Sequence, residues 1–211
     1  MTTRAIDIHE LKAIHSRRFE EEHMEFLANG LYPEWWDCIE ADFKREMTEI
    51  DVTVERITFE GLDYGHPDAN WSGTVDLAAF MKRTKVKDSD DTLAERYPAL
   101  FLAVEYDRSW ITVALGGRRD NQMVVDFHEG TYGTYPMGIF SALPEEAWGE
   151  LILDSWDEAD LQSYAEKFVQ EKANDLLKRL QAEWDYISSE EFFIERCEIN
   201  EITFEIEEET V

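Results

Sequence analysis

The sequence lacks the long apolar run and the leader that a membrane or secreted protein would need. No stretch approaches the roughly 18 consecutive apolar residues of a membrane span. The first 25 residues do not show the basic-then-apolar order of a signal peptide. With 211 residues, of which 44% are apolar and 13% aromatic, the chain can bury a full core. We therefore expect a single folded domain over residues 1–211, located in the cytoplasm.

Cysteine is scarce, which limits both disulfide and metal chemistry. The two cysteines, Cys38 and Cys197, lie far apart in segments with apolar patterning. This placement favours buried free thiols in a reducing compartment, with a disulfide as the alternative. No His or Cys stands near either residue at ligand spacing, so we expect no cysteine metal site and no metal or other cofactor.

Basic residues are few and unevenly distributed. The chain has 48 acidic and 20 basic residues, for a net charge of −28. Between Arg119 and Lys167 there is no basic residue, while eleven acidic ones occur. The one basic cluster is KRTKVK, residues 82–87. Because phosphate binding needs clustered Lys and Arg, we expect no direct partnership with nucleic acid or with an anionic membrane.

Known catalytic signatures are also missing. The sequence has no Gly-x-Ser-x-Gly elbow, no HExxH and no phosphate-binding glycine loop with a lysine. His9, His15 and His23 are spaced too irregularly for one ligand face of a helix and are expected on its surface. We therefore expect no catalytic residues and a protein that is not an enzyme.

The segment GLDYGHPDANWSG, residues 61–73, leaves two interpretations open. Asp63, His66 and Asp68 could supply metal ligands, with His128 or Asp126 from elsewhere, which would suit a metal-dependent enzyme. Glycine, proline and asparagine are equally the ordinary residues of a tight connection between two strands. The second interpretation is simpler, because it does not require the fold to bring distant ligands together.

Periodicity predicts helices in both end regions of the chain. Residues 7–28 are expected to form one helix, and a second begins at Pro33 with apolar residues every three or four positions. After Pro144 a helix is predicted with Trp148, Ile152 and Trp156 in its apolar stripe. A longer helix carries Leu161 to Ile187, and Ser188 with Glu191 forms a capping box for a short one.

Alternating patterns predict about five strands. They cover residues 52–59, 71–77, 110–115 and 123–127, with a closing strand around Phe204. GGRRDN, residues 116–121, predicts a hairpin turn, whereas residues 91–105 are expected to be helical, with a buried strand as the alternative. The predicted fold class is α+β: an antiparallel sheet of about five strands with helices packed over one face.

An acidic helical sub-region is predicted over about residues 144–196. Its acidic side chains are expected on the side of the helix opposite the apolar stripe, in steps of about 6 Å per four residues. The net charge of −28 corresponds to that of on the order of 14 base pairs of B-DNA. The residues expected to form this partner-binding acidic face are Glu145, Glu146, Glu150, Asp154, Asp157, Glu158 and Asp160.

Four segments of the chain carry a resemblance to known proteins: YPEWWDCIEADFKREM (32–47), VERITFEGLDYGHPDANWSG (54–73), LLKRLQAEWDYISSEEFFIERCEINEITFE (176–205) and IDIHEL (6–11). In these segments the chain resembles a family of phage and mobile-element proteins that are often labelled as antitoxins of toxin–antitoxin stability systems. The family's Gln-Gly-Asp-Gly loop core is here Gly65-His66-Pro67-Asp68. The resemblance implies a compact α+β domain and a phage or prophage setting, in a host cytoplasm.

These features together predict an inhibitor rather than a catalyst. The leading hypothesis is nucleic-acid mimicry, in which the acidic face occupies the basic surface of a host DNA-binding protein, restriction or CRISPR complex, or other defence nuclease. The alternative is an antitoxin or other protein–protein inhibitor that binds through an apolar patch, with Tyr132 and Tyr135 as candidate contacts. A solvated acidic surface that only confers solubility is the third interpretation.

Overall fold

The computed structural model describes residues 2–29, 34–63, 65–115, 123–128 and 158–208. Within these residues the chain is α+β, with eight helices and six strands. In chain order they are β1 (Thr2–Ile6), α1 (Ile8–Ile14), α2 (Ser16–Asn29), α3 (Asp37–Thr48), β2 (Val52–Glu60), β3 (Asp68–Asp76), α4 (Leu77–Arg83), α5 (Leu93–Arg96), α6 (Pro98–Asp107), β4 (Trp110–Leu115), β5 (Met123–His128), α7 (Glu158–Ile187), α8 (Glu190–Ile199) and β6 (Phe204–Glu208).

The strands form two antiparallel sheets instead of the predicted single sheet of about five strands. Strands β2, β3, β4 and β5 are neighbours in that order. Strands β1 and β6 make a separate pair, in which Thr2 lies opposite Glu208 and Ile6 opposite Phe204. The α+β class and the antiparallel pairing are confirmed. The short β1 was not predicted, because its partner lies almost the whole chain away.

The described chain divides into two compact units. Unit 1 consists of residues 1–38 and 179–211, and unit 2 of residues 39–178. Helix α7 contributes residues up to Lys178 to unit 2 and residues from Arg179 to unit 1. The expectation of a single domain stays a prediction. Among the described helices, none combines the length and the apolar composition needed to cross a bilayer.

Unit 1 contains the β1–β6 strand pair and the helices that adjoin these strands in the sequence, α1, α2 and α8. Asp7 ends β1 and caps α1, where its carboxylate accepts a hydrogen bond from the Glu10 amide at 2.8 Å. The tight aromatic packing of Phe19 with Phe193, at 5.6 Å between ring centroids, joins α2 to α8. The buried core of the unit consists of Ile6, Ile8, Leu11, Phe19, Phe193, Cys197 and Phe204.

Unit 2 contains the four-stranded sheet with Trp71 at its centre. The Trp71 side chain is fully buried, and its indole N–H donates to the backbone oxygen of Val169 on α7 at 3.4 Å. Strand β3 passes directly into α4, because the Asp76 carboxylate accepts from the Ala79 amide at 2.7 Å and caps the helix. Helix α4 was not predicted, since it follows a strand with no intervening turn.

Several predicted boundaries need correction. The expected single helix over residues 7–28 is two helices, because His15 ends α1 with a φ of −125° and a ψ of 54°, which are not helical, before α2 starts at Ser16. The expected helical structure of residues 91–105 is confirmed, but it consists of two helices, α5 and α6, and the alternative of a buried strand is wrong. The cap of α8 is Ser189, whose hydroxyl accepts from the Phe192 amide at 3.1 Å, not Ser188.

The prediction of two buried thiols is half right. Both cysteines are free, and Cys197 is buried in the core of unit 1, but Cys38 is exposed. Cys38 is the second residue of α3, which begins at Asp37. The apolar residues that α3 does bury, Phe43 and Met47, lie further along the helix, so its first turn keeps the thiol at the surface.

Candidate functional site

Most of the predicted acidic face lies outside the described residues. This holds for Glu145, Glu146, Glu150, Asp154 and Asp157, as it does for the hairpin turn 116–121 and for Tyr132, Tyr135 and Pro33. Glu158 and Asp160 belong to the beginning of α7.

A second set of acidic side chains lies on α8. Glu191, Glu195 and Glu198 are exposed and follow one another at intervals of four and three residues, on the side opposite the buried Phe193 and Cys197. We call these three residues the α8 acidic row. The helical rise spaces them by about 6 Å and about 4.5 Å along the axis. The same spacing is visible in the sequence, although the predicted face stopped at Asp160.

The negative charge of the α8 acidic row changes the pKa of a neighbouring side chain, Tyr186. The Tyr186 hydroxyl donates to a Glu195 carboxylate oxygen at 3.0 Å. This hydrogen bond, together with the charges of Glu195, Glu183 and Glu191, raises the pKa of Tyr186 above its ordinary value of 10.0. The phenol therefore stays protonated, and remains a donor to Glu195, to higher pH than an isolated tyrosine would.

Basic side chains neutralise only part of the charge around α8. Lys12 bonds Glu190 at 2.6 Å, and this contact lowers the pKa of that carboxyl below its usual value. The His9 ring lies 2.7 Å from Glu198. After Arg196 the sequence has no further basic residue. Unit 1 as a whole carries 19 acidic and 6 basic residues, a net charge of −13.

The segment 61–73 contains the connection between β2 and β3, but the connection is shorter than predicted. It ends at Pro67, because Asp68 already belongs to β3 and lies opposite Glu60. Gly61 has a φ of +73°, and a Cβ there would lie 2.2 Å from the His66 carbonyl oxygen, so only glycine fits. Asp68 accepts a hydrogen bond from the Asn70 side chain at 2.8 Å.

The structure does not bring the alternative metal ligands together. Across the described ranges, no three His, Cys, Asp or Glu side chains converge in a way that could hold a metal ion. This includes Asp63, His66 and Asp68, together with Asp126. The metal-dependent enzyme has no supporting geometry in this part of the chain.

The three N-terminal histidines are not equivalent surface residues. His9 is exposed, as expected, whereas His23 is partly buried and stacks on Phe193 at 5.2 Å between ring centroids. Its Nε2 atom lies 3.1 Å from the Ser188 carbonyl oxygen. The Nε2–H group donates this bond to the carbonyl oxygen, so His23 ties α2 to the turn before α8 and has a structural role.

Comparison with known proteins adds no assignment. No protein-family model, no curated protein and no solved structure matches the chain. The resemblance to phage and mobile-element antitoxins therefore stays a prediction from the sequence segments that carry it.

Proposed function

We propose that the protein is a non-catalytic inhibitor that presents nucleic-acid-like negative charge to the basic surface of a partner. The proposed partner is a host nucleic-acid-binding protein or a nuclease complex, such as a restriction or CRISPR assembly. The observation that carries the proposal is the α8 acidic row in unit 1, whose net charge is −13. The phage setting comes from the sequence resemblance alone.

A surface that mimics nucleic acid differs from a general excess of negative charge, because its charges stand at regular intervals on a rigid element. The α8 acidic row stands on a helix with a capped N-terminus and a side anchored in the core by Phe193 and Cys197. The anchored helix keeps the spacing of these exposed carboxylates fixed when a basic groove closes over them. Their summed field also accelerates encounter with a positively charged partner.

The proposal extends to the predicted face at Glu145, Glu146, Glu150, Asp154, Asp157, Glu158 and Asp160. Together with the α8 acidic row, these residues would give the inhibitor two acidic segments close in sequence to α7. The predicted face has its own test, because the Glu146→Lys, Glu150→Lys, Asp154→Lys, Asp157→Lys variant should weaken binding even where the α8 acidic row is intact.

An apolar docking surface is the second candidate, and it also has an observation in its favour. Ile199, the last residue of α8, is 64% exposed, and Ile202, shortly after the helix, is 45% exposed. An antitoxin or other protein inhibitor that uses such a patch would bind chiefly by burying apolar surface, which salt does not weaken.

The test combines capture of the partner with variants that remove charge without adding bulk. The protein is used as bait in a host lysate, and binding of the captured partner is then titrated with NaCl and with duplex DNA as competitor. Mimicry predicts that affinity falls steeply with salt and that DNA competes. The Glu191→Gln, Glu195→Gln variant should bind more weakly, mainly through slower association.

Two matched controls separate the candidates. Glu49→Gln, Glu55→Gln removes the same charge from exposed positions of unit 2 and should leave binding nearly unchanged. Ile199→Ala, Ile202→Ala should weaken binding only if the apolar surface docks. A flat response to salt, without competition by DNA, would rule out mimicry and favour the apolar candidate.

A further inference from the structure

Unit 2 contains an open cleft whose charge is opposite to that of the chain. Its volume is about 770 Å³, within the range of about 300–1,000 Å³ that is usual for small-molecule sites. Five basic side chains line it, against the single acidic side chain of Glu171. They are Arg83, Lys85, Lys87, Lys167 and Lys172.

Lys85 and Lys87 belong to a loop between α4 and α5 that backbone hydrogen bonds close. The Leu93 amide donates to the Thr84 carbonyl at 2.8 Å, and the Val86 amide to the Asp91 carbonyl at 2.9 Å. Lys85 pairs with Thr92 in a β-bridge, and Lys87 lies in the turn that the Ser89 amide closes on the Val86 carbonyl at 3.2 Å. Of the four basic residues in the run KRTKVK, three line the cleft, namely Arg83, Lys85 and Lys87.

The loop is attached to α7, which supplies the opposite wall of the cleft. The Lys87 amide donates to the Tyr164 hydroxyl at 2.8 Å. Lys167 and Lys172 follow on the same helix, and Phe168 between them packs edge-on against the buried Phe80 of α4 at 5.6 Å. Basic groups from α4, the loop and α7 are therefore set around a floor that is partly aromatic.

The cations of the cleft are poorly neutralised, although acidic residues outnumber basic ones by 48 to 20. The Lys85–Asp90 and Lys167–Glu171 contacts are long, at 3.7 and 3.8 Å. Among the described residues, Lys87 and Lys172 have no carboxylate within ion-pair distance, and Lys172 instead lies over the Phe168 ring. Such an arrangement leaves mutual repulsion that a bound anion would relieve.

Helix stabilisation accounts for only part of this cluster. Lys82 and Arg83 stand in the last turn of α4, where positive charge interacts favourably with the helix dipole. Partial burial lowers the pKa of Arg83, and the negative charges of Asp51 and Asp76 oppose this effect. Neither effect explains why Lys87, Lys167 and Lys172 converge from two other segments.

We propose that this cleft binds the phosphate chain of a small di- or triphosphate compound. Five cations around one opening suit a ligand with several negative charges. A long polyanion is disfavoured by the net charge of −28 over the rest of the surface, and the cleft has the volume of a small-molecule site. Tyr164 and Phe168 offer apolar contact to a base or another organic group at the end of the chain.

The test is calorimetric titration of the whole protein with inorganic tripolyphosphate and, separately, with ATP, at fixed ionic strength. Both probes carry the same phosphate chain, so saturable binding of both supports the phosphate site. Binding of ATP at least tenfold tighter than tripolyphosphate would identify a nucleotide as the source of the chain. Equal affinities would identify the phosphates alone as the recognised group.

Lysine variants decide whether the cleft is the site. Lys87→Ala and Lys167→Ala should each weaken binding about tenfold, since a hydrogen bond to a charged group is lost. Lys87→Ala retains the backbone N–H that bonds Tyr164, so the loop stays attached. The matched control is Lys178→Ala, which removes an exposed lysine of α7 outside the cleft and should leave affinity unchanged.

Two results would overturn the proposal. One is the absence of saturable binding of either probe to the wild-type protein. The other is an equal loss of affinity in Lys178→Ala and in the cleft variants, because binding would then reflect general charge rather than a built site. Both results are independent of whether the acidic surface captures a partner.

Discussion

Cys38 and Cys197 have the same side chain but opposite surroundings. Cys38 is exposed, whereas Cys197 lies among Phe19, Phe193 and Phe204 in the core of unit 1. Burial raises the pKa of the Cys197 thiol to about 11, and Glu22 adds to the effect. Since the thiolate is the nucleophile, Cys197 should be inert in the folded protein.

We expect a thiol reagent at pH 8 to label Cys38 quickly and Cys197 only after denaturation. The reason is access combined with charge, because a pKa of about 11 leaves only about one Cys197 thiol in a thousand ionised at that pH. Mass spectrometry of the labelled peptides measures the two rates. The Cys38→Ser variant should lose the fast phase entirely, and equal labelling rates for both cysteines would contradict the buried position of Cys197.

At the scale of the element, the start of α8 shows how a local pattern can point to the wrong residue. Both Ser188 and Ser189 precede the acidic first turn, and the spacing of Ser188 to Glu191 matches a capping box. In the structure the Ser189 hydroxyl accepts from the Phe192 amide, while the Ser188 carbonyl lies near His23. The tertiary contact fixes which serine caps the helix.

Ser189→Ala should lower the free energy of unfolding by about 1 kcal/mol, the usual cost of losing an N-cap side chain. Ser188→Ala is the matched control and should change it little, since the contacts of Ser188 are made by its backbone. Urea unfolding of the two variants measures the difference. If Ser188→Ala were the more damaging change, the sequence-based cap would be the correct one.

An element can be predicted from the sequence when the residues that stabilise it are close to it along the chain. Helix α7 was predicted from periodicity because its apolar stripe continues over many turns, and β4 and β5 from the alternation on both sides of a turn. Strand β1 was missed because Thr2 to Ile6 gains its partner only from β6. The basic cleft was seen as KRTKVK alone, since Lys167 and Lys172 reach it only through folding.

At the scale of the whole molecule, charge dominates. A net charge of −28 destabilises the compact state through self-repulsion. Added salt shortens the screening length from about 30 Å at 0.01 M to about 8 Å at 0.15 M. The exposed ion pairs, such as Lys12–Glu190, are weakened by the same screening, but 48 acidic residues stand against only 20 basic ones.

We therefore expect the melting temperature of the protein to rise when the NaCl concentration is increased from about 0.01 M to about 0.15 M. Differential scanning fluorimetry measures the shift, and KCl at equal ionic strength should give the same shift if screening is the cause. A melting temperature that falls with salt would show that the ion pairs outweigh the repulsion.

The 30 residues of α7 impose a restriction on how this sequence can change over time. One inserted residue would rotate the helical residues after it by about 100° relative to those before it. Val169 and Leu176 are both buried in unit 2, so an insertion between them could not keep both in place. Natural variation within α7 should therefore consist of substitutions, while insertions and deletions should be confined to positions beyond its ends.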